Sequence, residues 1–306
     1  MFRKLFAGIT SWLLIDAAAQ HFGCRCLKGP WWTLHLIGGS EQIEEVIKHD
    51  LTLGPPATIE QLVSADFPRD KRSIYRVHML HVPPDIGMRA FAKEMGLDDI
   101  HEARYDESEG FYVTSARLGI LTGLPGSNDF RDTLIHELSH AYCHLALGAC
   151  PKIPWASEGY TELVVARVAC LAGNAVPTNL RRHLEYIVNL IDSGQLLPLI
   201  DVVKADRSSR LVSGYPGFQA HSAMLTFMLA LAGRHNAQLL YVCRKAIKGR
   251  GTSCDEVVRW IEECTGVEMA EIHNRFVEFC TALINDVLPQ PRIVEPETMF
   301  KVAGHK

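Results

Sequence analysis

The chain has 306 residues, 47% of them hydrophobic and 22% charged, which allows one large domain or two small ones around a sizeable core. A net charge of −4 without a basic block argues against general nucleic-acid binding, and no apolar run is long enough to span a bilayer.

The opening stretch MFRKLFAGITSWLLIDAAAQ carries Arg3 and Lys4, an apolar run from Leu5 to Ile15, and then Ala17, Ala18 and Ala19. Two readings stand side by side: a signal peptide with a small-residue cleavage site, and an amphipathic helix with Phe2, Leu5, Phe6, Ile9, Trp12 and Leu13 on one face. Asp16 at the end of the run favours the helix. A third reading is peripheral membrane contact through residues 1–20. The nine cysteines are scattered, odd in number and without a CxxC pair, so neither a disulfide scaffold nor a cysteine-based zinc site is expected. This usage favours a reducing, cytoplasmic setting over export.

PWWTLHLIGG (30–39) predicts a strand ending in a turn, and SEQIEEVIKHDL (40–51) a helix opened by a serine cap. SIYRVHMLHV (73–82) has strand composition and stops at Pro83-Pro84. Met88 to Met95 predicts a short helix. EGFYVTSARLGILTG (109–123) reads as a β segment with a glycine turn at each end, placed as an exposed edge. Helices are then expected at Asp129–Leu147, Ser157–Leu171, Thr178–Asp192, Phe218–Ala232, Ala237–Lys248, Cys254–Cys264 and Met269–Ile284. Strands early and helices late describe an α+β chain. Residues 1–28 are set apart as the N-terminal helix or signal segment. Residues 29–288 form one domain, with a sheet-rich lobe at 29–128 and a helical lobe at 129–288. The proline-rich stretch 289–306 is an extended tail.

The chemistry concentrates in IHELSHAYCH (135–144). His136 and His140 are one turn apart on the same helix face, so both imidazoles can reach one metal ion. Glu137, one residue further round, can address a ligand of that ion without binding it. This is HExxH, two zinc ligands and one general base. Leu134, Ile135, Leu138, Ala141 and Leu145 supply the apolar stripe that makes the stretch a helix. Glu158, near the start of the next helix, is a third ligand, and two histidines with one carboxylate leave an open coordination position, as a catalytic zinc site does. Glu162, four residues on, and Asp132, four before His136, are candidates to accept the Nδ1–H of a ligand histidine and fix its tautomer. His144 continues the series but drifts about 40° round the helix at each four-residue step, so it is read as structural.

HELSH followed by WASEGYTE resembles the gluzincin branch of zinc peptidases, in which HExxH precedes a W-x-x-E-G-x-x-E segment. The likeness covers roughly residues 70–285 and includes LLPLIDVVK, FQAHSAMLTFMLAL and VVRWIEECTGVEMAEIHNRFVEFC. It implies a gluzincin-like fold with an N-terminal mixed β-sheet and helices, the metal-binding helix at the junction, and a mainly α-helical C-terminal half. It also implies zinc on His136, His140 and Glu158, Glu137 as base, and Glu162 as the supporting carboxylate. The spacing is one residue shorter than in the aminopeptidase members. Where the family offers a tyrosine, this chain reads Gln219-Ala220-His221-Ser222, so Tyr215 and His221 are both candidates to stabilise the oxyanion. The Gly-x-Met-Glu-Asn segment of aminopeptidases is missing, which favours an endopeptidase. The metzincin pattern would need glycine at Cys143 and histidine at Ala146, and is excluded. The expected activity is zinc-dependent hydrolysis of a peptide or protein substrate. The alternatives are a zinc hydrolase of a non-peptide amide and a metal-bound, non-catalytic scaffold.

Overall fold

The computed structural model describes residues 15–52, 54–67, 76–87, 90–91, 110–113, 118–147, 153–172, 178–206, 209, 211–212, 217–232 and 253–287. Most of the expected 88–95 helix, the whole 237–248 helix, the tail from 289 and Tyr215 lie outside these residues. The protein is α+β, with a mixed sheet early and helices late. It divides into two compact units, Met1–Gly148 and Ala149–Lys306.

The first unit holds helix α1 (15–22), strands β1 (Cys24–Lys28) and β2 (Trp32–Ile37), and helices α2 (Glu41–Thr52) and α3 (Pro55–Asp66). Strands β3 (Val77–His81), β4 (Gly110–Val113) and β5 (Leu118–Leu121) and the long helix α4 (Asn128–Leu147) follow. The five strands run in the order β1-β2-β3-β5-β4. β2, β3 and β5 are parallel and both outer pairs antiparallel. The central strands β2 and β3 are buried at every position, as strands covered on both faces must be. On one face Ile15 and Ala18 of α1 join Ile37, Leu80, Val82, Phe91, Leu118 and Ile120 in a common core.

The 109–123 segment is two paired strands, with Gly110 opposite Leu121 and Val113 opposite Leu118. A single β segment was expected. The turn signals within it are weak, because no Gly or Pro falls between Val113 and Leu118. Among the described residues, β4 is the terminal strand of the sheet, as the edge reading anticipated.

The second unit contains α5 (Pro154–Leu171), α6 (Thr178–Asp192), α7 (Leu199–Lys204), α8 (Phe218–Ala232), α9 (Cys254–Thr265) and α10 (Met269–Val287). α5 starts three residues before its expected position because Pro154 occupies the first turn, where its fixed φ suits the helix and its missing N–H costs nothing. α9 opens with a capping box between Ser253 and Glu256 and closes on Gly266 at φ 72°. Among the described residues, no helix is long and apolar enough to cross a membrane.

One close approach organises the second unit. A Cβ on Gly159 of α5 would run into the Thr226 hydroxyl oxygen and the Ser222 carbonyl oxygen of α8. Only glycine lets the two helices meet there, and the Ser222 carbonyl belongs to backbone that cannot rotate away. Gly159→Ala should therefore separate α5 from α8 and destabilise the chain by about 1–3 kcal/mol. An unchanged melting temperature in thermal denaturation would show that the helix pair does not depend on this contact.

Candidate metal centre

Helix α4 buries the stripe expected of it, with Leu134, Ile135, Leu138, Ala141 and Leu145 all within the core. Tyr142 from the same helix reaches Ser64 of α3 at 2.9 Å and meets the Trp31 ring edge-on. With the apolar side anchored, the 3.6-residue repeat sets His136 and His140 side by side. Their Nε2 atoms are 3.0 Å apart, with ring planes at 78°. Two imidazole nitrogens on a tetrahedral zinc site stand about 3.3 Å apart, the length of one edge at a Zn–N bond of about 2.0–2.1 Å. The pair comes within about 0.3 Å of that edge. His136 and Glu137 are buried and His140 half-buried.

Glu137 is positioned by the sheet as well as by the helix. Gly110, the first residue of β4, lies so close that a Cβ there would sit 3.1 Å from Glu137 Cγ and 2.9 Å from Thr133 Cγ2. Two residues along, the Tyr112 hydroxyl lies 3.2 Å from His144 Nδ1, with the rings edge-on. His144 thus ties the helix to the strand, in keeping with its structural reading. Asp132 is buried on α4, one turn before His136.

In the second unit, Glu158 is half-buried in the second turn of α5, and Glu162 is buried one turn on. The Glu162 carboxylate accepts a hydrogen bond from Gln219 Nε2 at 3.1 Å and lies 3.3 Å from His183 Nε2. These two partners come from α8 and α6, and nothing local in the sequence marks them. His221 is fully buried, stacked on Phe276 at a ring-centroid distance of 5.9 Å. Its Nδ1 donates to the Gly217 carbonyl at 3.0 Å, and burial pushes its imidazole down to about 4.

Two groups of side chains have the donor chemistry of a metal site: His136, His140 and Glu158, and separately Cys24, Cys26 and His35. The first group carries the expected ligands. The second escapes a search for CxxC, because its cysteines are one residue apart and its histidine lies on the next strand.

No family model matches the chain, and no curated protein matches it. Among solved structures it is similar to a functionally unknown conserved protein from Bacillus anthracis str. Ames, at 10% identity and a TM-score of 0.43. The match covers 90% of this chain and 53% of that one, so the chain spans about half the length of the solved structure. Likeness at this level bears on neither fold family nor function.

Proposed function

We propose that the protein is a zinc-dependent peptidase of gluzincin type, with His136, His140 and Glu158 as metal ligands and Glu137 as general base. The observation that carries this reading is the histidine pair. Two Nε2 atoms 3.0 Å apart, with a buried glutamate between them on the same helix, unite the ligand edge and the base in one turn. When bound, zinc supplies a Lewis acid that lowers the pKa of a water and polarises a carbonyl. Glu137 takes the proton of the attacking water and gives it to the leaving amine. Glu137 packs closely against Gly110, which limits the swing of its side chain.

β4 supports a peptide substrate in particular. Among the described residues it is the terminal strand, paired with β5 on one side, and its first residue lies against Glu137. An extended peptide added along its other side would gain main-chain hydrogen bonds beside the base. His221 is fully buried and stays a candidate oxyanion donor beside Tyr215. Tyr215 lies outside the described residues.

The test is a digest of a broad peptide library by the full chain loaded with one equivalent of zinc, read by mass spectrometry. Internal cleavages that a chelator abolishes and zinc restores are expected. A fully loaded protein that cuts no peptide in the library would replace this reading with a non-peptide hydrolase or a metal-bound scaffold.

A further inference from the structure

We propose that Cys24, Cys26 and His35 form a second metal site, which takes a zinc ion through two thiolates and one imidazole. The site lies on the sheet and is independent of the histidine pair on α4.

Strand alternation builds it. Cys24 and Cys26 are two apart on β1 and so share a face. Arg25 between them turns to the other side and pairs with Glu44 at 2.8 Å. Cys26 is the direct antiparallel partner of His35 on β2, which brings the imidazole to the same face. The sulfurs are 3.8 Å apart, and His35 Nδ1 lies 3.9 Å from Cys24 Sγ and 3.3 Å from Cys26 Sγ. A tetrahedral zinc ion with bonds of about 2.3 Å to sulfur and about 2.0–2.1 Å to nitrogen requires S···S of about 3.8 Å and S···N of about 3.6 Å. All three distances lie within about 0.4 Å of those edges.

A disulfide does not account for the cysteines. On one face of an extended strand, Cβ atoms two residues apart stand about 6.5–7 Å from one another. A disulfide needs about 3.5–4.5 Å. Both thiols are free.

The imidazole is also supported as a ligand. His35 is buried, and its Nε2, the nitrogen facing away from the sulfurs, lies 3.0 Å from His78 Nδ1 on β3. With Nε2–H donated to His78, the Nδ1 lone pair of His35 points at the two sulfurs. A partner of this kind fixes tautomer and ring orientation in metal-binding histidines. Softness selects the ion: two thiolates and an imidazole suit zinc and disfavour magnesium or calcium. On binding, each thiol releases its proton, so two protons leave per ion and the two thiolates balance its charge. No oxidation state changes. Three protein ligands leave the fourth position to water, on the side where Cys26 is exposed. The ion would clasp the edge strand β1 onto β2.

Cobalt titration of the full chain, with thiols kept reduced by a phosphine, tests the proposal. A sulfur-to-cobalt charge-transfer band arises only from thiolate ligands, so a histidine and carboxylate site cannot produce it. The band should saturate at about one cobalt per chain for this site and disappear on adding zinc. It should persist in a His136→Ala/His140→Ala variant, which separates this site from the proposed peptidase centre. It should vanish in Cys24→Ser/Cys26→Ser, a change at exposed and half-buried positions that leaves the far-ultraviolet circular dichroism unaltered. His35→Gln should weaken cobalt binding by at least ~10-fold, the scale on which imidazole-site changes act. Absence of the band in reduced wild type, its survival in the double serine variant, or undiminished affinity in His35→Gln would each overturn the three-ligand site.

Discussion

Glu137→Gln should reduce peptide hydrolysis by ~10²–10⁴-fold while zinc content stays at the wild-type level. The substitution keeps the shape of a side chain that is buried and packed against Gly110, and removes only its capacity to accept and return a proton. The measurement is turnover of a peptide that the wild type demonstrably cuts, paired with elemental analysis of the same preparation. The melting temperature should also change little, because the amide fills the volume of the carboxylate. Near-wild-type turnover by the fully loaded variant would place the base elsewhere, with Glu162 the next carboxylate to try. Zinc loss in parallel with activity would instead make Glu137 part of what holds the ion.

Removal of a ligand should have the opposite signature. His136→Ala, His140→Ala and Glu158→Ala should each weaken zinc binding by more than the ~10–100-fold that loss of a supporting hydrogen-bond partner costs. Activity should fall in step with the metal. His144→Ala is the control. It removes the contact with Tyr112 at 3.2 Å, a loss of about 0.5–1.5 kcal/mol in stability, and should leave zinc affinity near normal. Competition with a chromophoric chelator separates these outcomes. Affinity unchanged in all three ligand variants would remove His136, His140 and Glu158 from the metal, and a large loss in His144→Ala would bring the third histidine of the series into the coordination sphere.

The helix that carries the histidine pair was legible because its two signals agree. The apolar stripe from Leu134 to Leu145 and the four-residue histidine spacing demand the same 3.6-residue period, and the observed bounds differ by one residue from those expected. α6 and α8 were also read to the residue, α6 from its apolar periodicity and α8 from its long, nearly continuous apolar run. Three elements went unread: the short helix α7 (Leu199–Lys204), and two whose local signals conflict. α3 begins with Pro55 and Pro56, which look like breakers but sit at the first helical positions, where proline is tolerated. β1 alternates cysteine with charged residues and has only Leu27 buried, the signature of an edge strand, which lacks the apolar density of the central ones. The partners of Glu162 were invisible for a different reason. Gln219 and His183 are brought to it by helix packing, and no spacing rule links residues that far apart. Cys24 and Cys26 were dismissed because a strand presents ligands at alternate positions, whereas the expected motif was a turn.

Gly110 and Tyr112 face α4 together, one against Glu137 and the other against His144. A hairpin that closes two residues out of step would keep its faces but bring the Tyr112 ring to the place where Gly110 packs closely against Thr133, Leu121 and Glu137. A slip of one residue would turn both side chains away from the helix. The register of β4 therefore decides both what packs against Glu137 and whether the strand meets His144.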